Sequence, residues 1–252
     1  MSWLPRDCHA HTTFSDGMLT VAELVERVRA RGVLPSVADH LSGDVVYAIK
    51  DLDEVTDYLD ELDEYDVGRG AEFCWHDPLW RGLPPELMQR FTHLIGSLHG
   101  VFLPGTDQVV HAFRPVPAGL TPQTYMDIHI DNVERFAREM PVDILAHPTL
   151  VPAVFRRLPP EELWTETHED RLVQALRRAG IAFEISTRYP PHDRIVRRAF
   201  AAGLRLSLGS DGHTAAQVGN IATPLALART IGVRDEDLYD PLVHGRRMPA
   251  SR

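Results

Sequence analysis

The sequence predicts an α/β barrel, a ring of parallel strands enclosed by helices. Three observations carry that expectation: strand-like apolar segments alternate with stretches of helical periodicity; residue types able to bind a metal recur at the ends of those strand-like segments; and 252 residues at 44% hydrophobic composition suffice for one large α/β core. Repeated strand-helix alternation favours a parallel sheet flanked by helices. A barrel gathers successive strand ends on one rim, whereas a doubly wound open sheet strings them along a line and places its ligand at one crevice. Histidines and carboxylates spread over many strand ends therefore favour the barrel. No internal repeat, low-complexity tract or linker divides the chain, so residues 1–252 are expected to form a single domain.

The strands are expected at 4–10, 34–39, 67–74, 93–98, 143–146, 181–185 and 204–208. In the helix expected over 19–30, Leu19, Val21, Leu24, Val25 and Val28 make one apolar face, Thr20 caps the start and Gly32 ends it. Similar periodicity places helices within 45–64, 122–139, 160–179 and 193–202. The Pro-rich stretch 114–122 and the segment around Pro190 and Pro191 read as loops that shape the rim.

A formal charge of −10 disfavours a long nucleic-acid partner, whose phosphates need Lys and Arg. Much of the acidity lies in 51–66, read as the solvated side of a helix rather than a metal cluster. Only Cys8 and Cys74 are present, each in an apolar strand segment, which argues against a disulfide framework and for a reduced, cytoplasmic setting. The amino terminus lacks a secretory signal pattern and no apolar run reaches membrane-spanning length, so no membrane association is expected.

The first strand carries the most informative feature. His9 and His11 are two residues apart, so in a strand both imidazoles project from one face, and the Ser15-Asp16-Gly17 turn can fold Asp16 back over them. Cys8 should point the opposite way, into the core. Similar chemistry recurs at Asp39-His40, Glu72, His99, His147, and Asp211 with His213. Cys74 shares a face with Glu72, though burial is its expected role.

The ordered set Asp7-Cys8-His9-Ala10-His11, Asp39-His40, Gly70-Ala71-Glu72, Gly96-Ser97-Leu98-His99, Ala146-His147-Pro148, Phe183-Glu184-Ile185-Ser186 and Gly209-Ser210-Asp211-Gly212-His213 resembles the polymerase-and-histidinol-phosphatase (PHP) family, especially its stand-alone histidinol-phosphatase-like members. The resemblance runs from Asp7 to about Asn220 and implies a distorted (β/α)7 TIM-like barrel with a multinuclear metal centre at the carboxyl ends of its strands. It implies His9, His11, Asp16, His40, Glu72, His99, His147, Asp211 and His213 as metal ligands. Six imidazoles and three carboxylates exceed the needs of one tetrahedral ion, which agrees with three divalent ions, and mixed nitrogen and oxygen donors suit Zn, Fe or Mn better than Mg. The bland alternative is one structural zinc among unrelated histidines.

Such a centre suits hydrolysis of a small phosphomonoester by metal-activated hydroxide, with histidinol phosphate the first compound to try. Asp211 and His213 are the candidate catalytic residues for proton transfer. Arg188, after the Phe-Glu-Ile-Ser-Thr strand end, resembles a phosphate-binding arginine of histidinol-phosphatase relatives, and is the candidate substrate-binding residue. Glu184 is expected either to orient a ligand, to bind the substrate's polar end, or to make internal hydrogen bonds. Arg156 and Arg157 are weaker phosphate candidates; His76, His111 and His192 fall in expected loops and read either as pocket-lining or, by preference, as incidental surface histidines, and His129 and His168 as helical ones. The alternatives are a phosphodiesterase acting on a short oligonucleotide or cyclic nucleotide, and, in another class, a non-catalytic metal- or metabolite-binding protein.

Overall fold

The structure, a computed structural model, describes residues 3–247. Its strands are β1 (Arg6–Asp7), β2 (Leu34–Leu41), β3 (Gly68–Cys74), β4 (Ile95–Ser97), β5 (Gly100–Phe102), β6 (Val109–His111), β7 (Ile144–Leu145), β8 (Ala182–Ser186) and β9 (Leu206–Gly209). Seven of them form one sheet in the order β1-β2-β3-β4-β7-β8-β9, every neighbouring pair parallel. The first and last strands then meet: Cys8 N donates to Leu208 O at 2.8 Å, Asp211 N to His9 O at 2.8 Å, and His11 N to Gly212 O at 2.9 Å. The result is a nearly closed barrel of seven parallel strands with flanking helices, as the alternation and the resemblance predict.

The strand expected over 4–10 shortens to β1 because residues 8–11 divide their hydrogen bonds between two neighbours. Ala38 N donates to Ala10 O on one side, while the bonds to residues 208–212 lie on the other. The segment still forms barrel wall. Helix Val21–Ala30 buries Val21, Leu24, Val25 and Val28 and carries a complete capping box between Thr20 and Glu23. Full burial of a side chain such as Leu24 contributes roughly 1.5–3 kcal/mol.

Two helices differ from the periodicity. Regular helix within 45–64 begins only at Leu52, where Asp51 accepts a bond from Glu54 N, and the acidic residues lie around a buried face of Val55, Tyr58, Leu59 and Leu62. The expected 160–179 helix is two, Pro160–Leu163 and Glu166–Ala179, because Thr165 starts a new helix with His168 completing its capping box. The hairpin β5–β6 and the helix Ala222–Thr230 are additions to the expected elements. Among the described residues, no helix is long and apolar enough to cross a membrane.

Candidate metal centre

His9 and His11 leave the end of β1 on one side of the chain, their ring centroids 5.0 Å apart, while Cys8 turns into the core with Ala38, Ile95 and Ile144. The Ser-Asp-Gly turn returns Asp16 to them: its Oδ1 lies 3.7 Å from His11 Nδ1, 3.7 Å from His40 Nε2 and 3.1 Å from His213 Nε2. Gly17 makes this turn possible, since a Cβ there would stand 2.4 Å from the carbonyl oxygen of His11.

Glu72 is the hub. It is the register partner of His40 across β2 and β3. Its Oε2 lies 2.9 Å from His40 Nδ1, 3.3 Å from His9 Nε2 and 3.6 Å from His11 Nε2. Its Oε1 lies 3.3 Å from His147 Nε2 and 3.5 Å from His99 Nε2. Asp211 Oδ1 completes the ring at 3.4 Å from His11 Nε2 and 3.7 Å from His213 Nδ1. All nine residues that the resemblance implies as ligands are thus brought together. They form overlapping groups, His11 with Asp16, His40 and His213; His9 with His11 and Asp211; and His40 with Glu72 and His99, and His147 joins the last through Glu72.

The donor set fits cations better than it fits hydrogen bonds. His9 Nε2 faces His11 Nε2 at 3.1 Å and His99 Nε2 faces His147 Nε2 at 3.3 Å, so nitrogens meet nitrogens in a buried space. Buried His11 Nδ1 has no hydrogen-bond partner, and His40 Nδ1, though close to Glu72, is not in hydrogen-bonding geometry with it. Buried polar atoms left this way are rare unless something else satisfies them. Donor separations near 3.4 Å are those of ligands sharing an ion at about 2.1 Å bond length.

Backbone strain marks the same residues. His147 at φ 30° and Asp211 at φ 49° are the only non-glycine residues with positive φ among the described residues. Both conformations are held by bonds from the barrel wall. Glu184 Oε2 accepts from His147 N at 2.6 Å, and His9 O accepts from Asp211 N.

Glu184 also accepts from His9 Nδ1 at 2.8 Å through Oε1, which leaves His9 Nε2 free to face Glu72. Of the three roles expected for Glu184, internal hydrogen bonding is the one its contacts describe. Gly209 leaves room for that carboxylate, because a Cβ would stand 2.2 Å from Oε1. Two further buried carboxylates shape the loops. Asp39 accepts from Thr12 N, Thr12 Oγ1 and Ser15 Oγ, and Asp7 from Ser210 N, Ser210 Oγ and Gly219 N. Cys74 sits behind His99, its Sγ 3.3 Å from Nδ1.

The electrostatics follow from dense packing. Burial opposes ionisation of Glu72, yet His40, His9 and His99 outweigh it and hold the carboxyl well below its usual range. Burial likewise disfavours the His9 cation, but Glu184 and Glu72 raise its pKa well above normal. For His11, burial and the neighbouring His40, His213 and His9 act together and push the pKa well down. Burial lowers His99 to about 3. Neutral His11 and His99 beside ionised Glu72 are in the state that metal binding requires, whereas His9 would have to release its proton to a bound ion.

Above the ring lies a cleft of about 360 Å³, walled by Val45, Val46, Phe113, Arg114, Arg188 and Tyr189. Arg188 donates to His213 Nδ1 and lies 4.0 Å from Asp211 Oδ1, so it borders the ring as expected. Arg156 sits over Tyr189 at 5.5 Å but does not line this cleft, and Arg157 is exposed. His129 is buried against Tyr125 and Trp164, while His168 and His192 cap helices. Of the two expectations for His76 and His111, the surface reading is corrected, and His111 lines the cleft as the alternative has it. They are not isolated surface residues: the β5–β6 hairpin brings His111 to the loop after β3, and both meet Asp44.

No family model matches the sequence, and no curated protein matches it. Among solved structures, the chain is similar to the crystal structure of a candidate histidinol phosphatase, HisK, from Listeria monocytogenes, with a TM-score of 0.68 and 16% identity over 87% of this chain and 99% of that one. A β-mannanase from Streptomyces thermolilacinus aligns over 98% of this chain and 94% of its own at a TM-score of 0.41 and 12% identity. This chain and the Listeria structure therefore share one fold.

Proposed function

We propose that this chain is a metal-dependent phosphatase of the PHP type, acting on a small phosphorylated substrate in the cytoplasm, with histidinol phosphate the first compound to try. The observation that carries this reading is Glu72, a buried carboxylate among five imidazoles, at the floor of an open cleft that Arg188 borders. Divalent cations of the Zn, Fe or Mn kind, three in this reading, would supply water of lowered pKa and offset phosphate charge when held by the nine donors.

The chain's own residues do the rest. Arg188 has one guanidinium face toward His213 and Asp211 and is 37% exposed, leaving donors for a phosphate oxygen. Asp211 and His213 stand where that phosphate would meet the ring, and serve proton transfer to and from the reacting oxygens. Phe113 and Tyr189, with ring centroids 6.2 Å apart, offer an apolar edge for the leaving group.

The test is phosphate release by metal-loaded protein from a panel of monoesters, histidinol phosphate included, beside bis-esters. Turnover of monoesters is expected, and Arg188→Ala should lower kcat/KM about tenfold to a hundredfold, since a charge-assisted hydrogen bond contributes about 1.5–3 kcal/mol. Cleavage of bis-esters alone would make the protein a diesterase. Tight metal binding with no turnover of either class would make it a binding protein.

A further inference from the structure

We propose a second, separate cation site on the outer wall of the cleft, formed by Asp44, His76 and His111, taking one divalent transition ion of the zinc or manganese class. These residues come from three places: the loop after β2, the loop after β3, and the end of β6. None belongs to the nine-residue ring. Asp44 Oδ2 lies 3.1 Å from His76 Nε2 and 3.6 Å from His111 Nδ1, and the three donor atoms lie within 4.8 Å of one another.

Those separations bracket the edge of about 3.4 Å expected between ligands of a tetrahedral ion with bonds of about 2.1 Å. They also match the donor spacings around Glu72. The two imidazoles stand nearly perpendicular, at 88° with centroids 4.8 Å apart, so their nitrogens converge on the carboxylate without stacking. Two histidines and one carboxylate leave positions open on the ion. Asp44 and His111 line the same cleft as Glu72 and Arg188, so an open position faces that space.

The site is built. The His76 side chain is 6% exposed and packs on Gly100, where a Cβ would stand 2.8 Å from its Nδ1. Gly100 is the register partner of His111, so one hairpin pair fixes both rings. Asp44 is held by its backbone N, which donates to Ser42 Oγ and Asp77 Oδ2, and by Arg114 Nη2, which donates to Oδ1 at 2.9 Å. That bond occupies one carboxylate oxygen and turns the other toward the histidines, as outer partners of metal ligands commonly do.

Arg114 defines the competing arrangement. Its Nη1 lies 3.2 Å from His111 Nε2, and if it donates there the ring proton sits on Nδ1, which then points at Asp44 as a donor. In that arrangement Arg114 and Asp44 link the four residues without an ion, although His111 Nδ1, 3.6 Å from Asp44, falls short of hydrogen-bond distance. With an ion on Nδ1 the proton moves to Nε2, and Nη1 turns aside, for which Arg114, its side chain 56% exposed, has room.

Metal stoichiometry separates the two independently of any activity. Apoprotein titrated with Co(II), followed by its d–d absorption and by elemental analysis, should bind one more equivalent than His76→Gln or His111→Gln protein. Glu72→Gln protein should keep that outer equivalent, which distinguishes it from the ring. Should the buried His76 variant fail to fold, His111→Gln and Asp44→Asn, at more exposed positions, report the same loss. Folded variants that bind as many ions as wild type, with unchanged spectra, would overturn the site and leave the ion-free network.

Discussion

Glu72→Gln protein should lose turnover by about a thousandfold or more and lose ions from the central ring while keeping its barrel. The substitution preserves shape and removes one charge. That charge sits 2.9–3.6 Å from nitrogens of His9, His11, His40, His99 and His147, so no other single group touches as much of the ring. Leaving a buried ionic network without one partner costs about 3–5 kcal/mol, which alone is two to four orders of magnitude in an equilibrium constant. In the metal-free protein the sign also follows. Glu72 raises the pKa of His9 and His40 against burial, so its removal lets both rings lose protons at higher acidity than in wild type. Phosphate release and metal content, measured together with circular dichroism, check this. A folded variant with wild-type metal content and turnover would show that Glu72 is not the hub.

Glu184→Gln should weaken metal binding by about tenfold to a hundredfold, the usual cost of removing a partner that orients a metal-binding histidine. Both oxygens of Glu184 accept, Oε1 from His9 Nδ1 and Oε2 from His147 N. Glutamine has one acceptor, so either its amide meets His147 N donor to donor, or it donates to His9 Nδ1 and drives the ring proton to Nε2, the nitrogen that faces Glu72. If His147 loses its partner, a backbone at φ 30° loses the bond that holds it. Metal affinity by competition with a chelator reads the effect, and Glu184→Asp should recover part of it where the shorter carboxylate still reaches one donor. Wild-type affinity in the glutamine variant would make Glu184 a packing residue only.

Most of the ring is legible in the sequence because its residues sit at or just past strand ends, with Asp16 returned to them by the turn after the first strand. A strand's alternation puts His9 and His11 on one face, and barrel closure does the rest for Glu72, His99, His147 and Asp211. The residues that hold the ring were harder to read. Asp7, Asp39 and Glu184 are carboxylates on the same strand segments as the ring residues or on their neighbours, and sequence position does not separate a metal-binding oxygen from one that accepts backbone N–H groups. The Asp44, His76 and His111 cluster was hidden for another reason. Its contacts span 32 and 67 positions and depend on the hairpin Gly100–Phe102 with Val109–His111, two strands of three residues each, too short for a period to show. The break at Thr165 was missed because its capping box closes with His168 in place of Glu or Gln. Helix Ala222–Thr230 buries only Pro224 and Ala228, which leaves little apolar stripe to detect.

In the proposed function, nine side chains gathered at the carboxyl rim of the barrel hold a cluster of divalent ions. Anomalous diffraction from metal-loaded crystals, collected on both sides of the absorption edge of the added metal, tests it most directly. Peaks within about 2.0–2.3 Å of Glu72 and the surrounding histidine nitrogens are expected. Crystals grown with metal that show no peak in the ring, its histidines hydrogen-bonded to one another and to carboxylates, would contradict it.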